Sequence, residues 1–141
     1  MKEIYFYALF AIIAALQSAL ILGEFLSPLF SYTPNNILFS LCVIAVVMYM
    51  GWSLAKFGLK KVAIKGAIAA LVSSLVISLA TIVGYLIKRP VLGIQLPSIY
   101  YLSIPLLVIA FLTVVLYAFF AALGALLAQN IKPSQKSKRK K

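Results

Sequence analysis

Four long apolar stretches, separated by short segments of prolines, glycines or lysines, organise this chain. They run over about residues 4–26, 37–55, 62–87 and 99–128. A hydrocarbon layer of about 30 Å is crossed by about 20 helical residues, so each stretch is long enough to span a bilayer. Helices are the expected form, because an open sheet in lipid would leave backbone N–H and C=O groups unpaired. The pattern therefore predicts an all-α integral membrane protein: a four-transmembrane-helix bundle over residues 1–131. The first stretch exceeds the usual apolar length of a cleaved signal peptide, and its leading "MKE" lacks net positive charge. It is read as a span. No internal repeat relates helices one and two to helices three and four.

The breaks carry turn and cap chemistry. "SPLFSYTPNN" has two prolines and no charge. Thr33 is placed to cap the second helix with Pro34 at its first position, and Asn35 or Asn36 would serve as well. "KFGLKK" sets Gly58 where a helix end favours a residue without Cβ. In "KRPVLGIQLPS", Ser98 suits the N-cap of the last helix. Pro105 falls a turn or two into that helix and predicts a kink. After Ile131 the segment 132–141, "KPSQKSKRKK", contains no apolar residue and is expected to be disordered.

Composition agrees with the pattern. The chain is 65% hydrophobic and 11% charged, with a mean hydropathy of +1.11. A soluble domain is about half apolar and about a quarter charged. The charge is lopsided, with 13 Lys+Arg against 2 Asp+Glu, net +11. Short loops rich in lysine and arginine stay cytoplasmic. The second break and the tail hold most of these residues and are separated by two spans, which places both termini in the cytoplasm. Lys56, Lys60, Lys61 and Lys65, with Lys136, Lys138, Arg139, Lys140 and Lys141, then form a face for anionic headgroups on the cytoplasmic side. A solvated tail that only enforces orientation is the competing reading. No aromatic residue interleaves with the tail's charges to stack on bases, which disfavours nucleic acid. Its "KRKK" ending faintly resembles a dibasic retrieval signal of the eukaryotic endoplasmic reticulum. In a prokaryote the location would be the cell membrane. Tyr5, Tyr7 and Trp52 near one face, and Tyr32, Tyr85, Tyr100 and Tyr101 near the other, fit aromatic belts at the two interfaces.

Little reactive chemistry is available. There is no histidine, and one cysteine, Cys42, lies between Leu41 and Val43 in a span. That removes the commonest metal ligand and general base, and no cofactor is expected. A catalyst would have to rest on Glu24, a lysine, a tyrosine or Cys42. Glu24 ends the first span at the outer edge of the core, on the side where the third span ends with Lys88 and Arg89. An outer-face ion pair between Glu24 and Lys88 or Arg89 is the economical reading. A solvent-facing residue and an ion or proton site are the alternatives, the last supported only by Gln17 and nearby hydroxyls.

Small residues mark packing faces, since helices in lipid associate through close backbone approach. Ala11, Ala15, Ala19 and Gly23 recur every four residues in the first helix, as do Gly66, Ala70, Ser74 and Ser78 in the third. The fourth clusters Ala118, Ala121, Ala122, Ala125 and Ala128 around Gly124. The second, "VIAVVMYM", has no comparable row and is expected to face lipid or another protein. The function this suggests is a non-enzymatic accessory, scaffold or assembly subunit that contacts other membrane subunits or copies of itself. An oligomeric small channel or transporter subunit is the alternative, with Gln17, Ser73, Ser74, Ser78 and Thr81 as its available polar lining.

Overall fold

The computed structural model describes residues 2–94 and 97–131. The segment 132–141, with Lys136, Lys138, Arg139, Lys140 and Lys141, lies outside them. Among the described residues the α-helices are α1 (Lys2–Leu22), α2 (Pro34–Ser53), α3 (Leu59–Leu86) and α4 (Ser103–Ile131). All four are long and apolar enough to cross a membrane. Short 3₁₀ turns at Ala55–Phe57 and Ile99–Leu102 precede α3 and α4. Alternate helices run in opposite directions. One end of the bundle therefore gathers the start of α1, the end of α2 and the lysines before and within early α3. The other gathers the two proline-bearing connections.

Of the helix pairs adjacent in sequence, only α3 and α4 pack extensively. The extensive pairings are α1 with α3, α3 with α4 and α4 with α2, whereas α2 and α3 barely meet. The principal core lies toward the lysine end, where Phe10, Val47, Met50, Leu54, Val62 and Ala69 pack with Ala121, Ala125 and Ala128. The Phe10 ring lies 5.4 Å from that of Tyr117. Toward the proline end the buried set is thinner, with Ile21, Ile77 and Thr81 joined by Val91 and Leu92 from the α3–α4 connection.

The α2–α4 crossing is built on two glycines. A Cβ on Gly51 would lie 2.0 Å from the Ala121 carbonyl oxygen, and one on Gly124 would lie 2.1 Å from that of Met48. Each glycine thus admits the other helix's backbone. The bulky sequence of α2 conceals this seam, and Val47, Met50 and Gly51 are the residues it buries.

The four-residue rows divide. On α3, Gly66, Ala70 and Ser74 are buried and Ser78 is half-buried. On α1 the inward residues are Phe10, Ala14, Ser18 and Ile21 instead, while Ala11 is half-buried and Ala15, Ala19 and Gly23 are exposed. A step of four residues advances about 40° beyond a full turn of a 3.6-residue helix. A long four-step row therefore drifts off any one face, and the α1 row drifts outward.

The caps fall at the expected residues, with differences in their bonding and in the element they cap. Thr33 is the N-cap of α2 and Pro34 follows it, but the Thr33 side chain makes no capping bond and its hydroxyl is buried without a partner. Asn36 ties the preceding connection instead, its Nδ2 donating to the carbonyls of Ser27 (3.0 Å), Pro28 (3.0 Å) and Ser31 (2.9 Å). That connection bonds across to the other one, with Leu29 N–H to Val91 C=O at 2.9 Å and Phe30 N–H to Leu92 C=O at 3.4 Å. Pro105 falls in the first turn of α4, because Ile99–Leu102 forms a separate 3₁₀ turn capped by Ser98. A first-turn residue has no α-helical acceptor for its N–H, so proline removes no such bond there. Gly58 joins the 3₁₀ turn to α3 at φ 86°, ψ 155°, a region nearly restricted to glycine.

Candidate functional site

At the proline end, α1 and α3 close in the same way. The N–H of Phe25 bonds the Leu20 carbonyl and that of Glu24 bonds Ile21; the N–H of Arg89 bonds Gly84 and that of Lys88 bonds Tyr85. This is the Schellman pattern, whose left-handed residue is usually glycine. Here the left-handed positions are Glu24, at φ 64°, and Lys88, at φ 58°. Such a backbone costs a residue with a Cβ about 1–2 kcal/mol.

Arg89 links the two helix ends. Its Nη1 donates to the Leu22 carbonyl at 2.7 Å, and its Nη2 lies 3.7 Å from Glu24 Oε1. A guanidinium at a helix C-terminus meets unpaired carbonyls and the negative end of the dipole. The pair lies in the open, with side chains 53% and 77% exposed, so its ionic part is worth less than about 1 kcal/mol. Lys88, the other sequence candidate, is not in this pair; its exposed side chain borders the cleft beneath the α3–α4 connection. The local backbone effect therefore outweighs the charge effect. Replacing Lys88 by glycine is expected to raise stability by about 1 kcal/mol, and Glu24→Gly is expected to be neutral or slightly stabilising. Detergent thermal unfolding measures both, and a clear loss in Lys88→Gly would refute the account.

At the lysine end, the sequence reading missed one partnership. Lys65 forms a salt bridge with Glu3 and also lies 5.0 Å from the centre of the Phe57 ring. It is therefore tied into the fold, joining the first turn of α1 to α3. Lys56, Lys60 and Lys61 remain exposed. The signal was present: Glu3 and Lys65 are charges at the same end of helices predicted to run in opposite senses from that of α2.

Among the described residues, the interior polar groups do not join into a path. Ser18 donates to Ala14 C=O at 2.8 Å and Thr81 to Ile77 C=O at 2.7 Å, each on its own helix. Ser73 reaches across to Phe10 C=O at 3.4 Å, while the Ser74 hydroxyl is buried without a partner. Gln17 is half-buried and Cys42 is exposed on α2. No group of three or more His, Cys, Asp or Glu side chains comes together among the described residues.

The exposed surface is largely apolar. Along α4, Ile104, Leu107, Val108, Phe111, Leu112, Val115, Leu116 and Phe119 all face outward. On α1, the exposed Ala15, Ala19 and Gly23 lie among Ile12 and Leu16, also exposed. At the proline end a cleft of about 520 Å³ opens between the end of α3, the segment after it and the turn before α4. No protein-family model matches this chain, and neither a curated protein nor a solved structure matches it.

Proposed function

We propose that this chain is a four-span integral membrane protein, with both termini cytoplasmic, that acts without catalysis as an accessory, scaffold or assembly subunit. The observation that carries the reading is the exposed Ala15 and Ala19 of α1, continued by the exposed Gly23 just past its end. The glycines Gly51, Gly66 and Gly124 are buried at helix crossings within the bundle, whereas this row is left outside. In lipid, a small-residue strip lets another helix approach closely. The orientation rests on the lysines: Lys56, Lys60 and Lys61 are exposed at one end, and the sequence from 132 onward adds six basic residues after α4. The channel reading gains less support, because two of its lining hydroxyls, Ser73 and Thr81, are bonded to backbone carbonyls of Phe10 and Ile77.

Two measurements test this. Ala19→Leu should detach a partner from the protein purified in mild detergent while leaving the unfolding midpoint unchanged, since the residue is exposed in the bundle. An unchanged complex, or a loss of folding, would overturn the role given to this row. With Cys42 replaced by Ser, single cysteines at Asn35 and Gly93 should label from outside intact cells, and those at Lys61 and Lys138 should not. Outside labelling at 61 or 138 would reverse the orientation.

A further inference from the structure

We propose that the cleft at the proline end is a binding site for an anionic lipid, its acyl chain inside the cleft and its headgroup on Lys88. The walls include Thr81, Tyr85, Val91, Leu92 and Leu102, with Lys88 among the lining residues. Thr81 turns its hydroxyl onto the Ile77 carbonyl, which leaves an apolar wall at that depth. The volume of about 520 Å³ falls within the range of about 300–1,000 Å³ typical of small-molecule sites. The location suits a lipid: α3 ends at Leu86, so the cleft opens where a span meets the interface, and Tyr85 stands in its lining.

Charge selects the headgroup. The chain has two acidic side chains, Glu3 and Glu24, and they pair with Lys65 and Arg89 respectively. Neither carboxylate is left to neutralise Lys88. Lys88 also occupies the left-handed position of the α3 terminus, at φ 58°, where glycine would be easier. This places an exposed cation at the rim of a largely apolar cleft. Ile94 is shared with a second, shallower groove formed by Phe30, Tyr101 and Val108. A two-chain lipid therefore has an adjoining surface for its second chain.

The test places a reporter in the cleft. In a Trp52→Phe, Tyr85→Trp background, the protein is reconstituted into phosphatidylcholine vesicles containing a minor fraction of brominated lipid. Bromine on the acyl chains of phosphatidylglycerol should quench the introduced fluorophore several-fold more than the same fraction of brominated phosphatidylcholine. Lys88→Gln should abolish that preference, and Arg89→Gln should retain it. Equal quenching by the two lipids overturns the proposal. So does a preference that survives Lys88→Gln, because the selectivity would then arise elsewhere. Native mass spectrometry of the chain with its natural tryptophan and tyrosine provides a second readout. One phosphatidylglycerol should stay bound where phosphatidylcholine is shed, and Lys88→Gln should lose it; retention unaffected by that change would count equally against the site.

Discussion

Gly51→Ala and Gly124→Ala should each lower the thermal unfolding midpoint sharply, more than any exposed substitution in the chain. The added methyl groups would lie 2.0 Å and 2.1 Å from carbonyl oxygens of the opposing helix. Those oxygens belong to backbone and cannot rotate aside, so α2 and α4 must separate. Overpacking of this kind costs about 1–3 kcal/mol, and the backbone contact puts both changes at or above the upper end. The paired substitution should cost less than the sum of the two, since each displaces the same crossing. Gly23→Ala is the internal comparison: its nearest contacts would be 3.2 Å, at an exposed helix end. Ala70→Leu and Ser74→Leu, both at buried positions, should also destabilise, and Val46→Leu should be mild. Equal midpoints for Gly51→Ala and Gly23→Ala would remove the glycine crossing from the account.

Asn36→Asp should produce the second largest loss, although it changes little in shape. The Asn36 amide supplies two N–H groups to three carbonyls, those of Ser27, Pro28 and Ser31. Leaving part-buried acceptors without donors costs about 1–3 kcal/mol. The aspartate is worse than an alanine at this position, because its carboxylate oxygens would face carbonyl oxygens. Its charged form is therefore disfavoured in the folded state relative to the neutral acid. Stability should be lowest at neutral pH and recover in part on acidification, as the neutral acid regains one donor. Asn36→Ala should show no such recovery. The same connection bonds Val91 and Leu92, so protease sensitivity should rise in both proline-bearing segments together. Loosening confined to residues 27–33 would disconnect the two.

The spans were legible because hydropathy over twenty residues is a strong, additive signal. Their ends were legible to within a few residues: the 99–128 stretch begins as a 3₁₀ turn, and the 4–26 stretch stops at Leu22. Packing faces were less so. A row of alanines shows where another helix can come close, but the same spacing occurs on inward and outward faces, and Ala19 and Ala70 look alike in sequence. The Gly51 seam was hidden for the opposite reason, since a single glycine between Met50 and Trp52 forms no row. Glu24 was placed at a helix end from its distance along the span, and Arg89 does approach it. The left-handed backbone at Glu24 was not readable, because glycine stands one residue earlier, at Gly23, where that conformation would be expected. Asn36 had been weighed only as a cap for α2. Its three acceptors all precede it in the connection, and that arrangement depends on a loop conformation that residue types alone do not encode.

The interleaved pairing of the helices has a consequence for biogenesis. When α1 and α2 have both left the ribosome, their main partners do not yet exist, since α1 waits for α3 and α2 waits for α4. In the complete bundle, α1 and α2 do not pack closely on each other. In a bilayer, each early helix would persist on its own hydrophobicity until α4 is made. A chain stopped after α3 would carry Gly51 without the Ala121 backbone that covers it in the complete bundle.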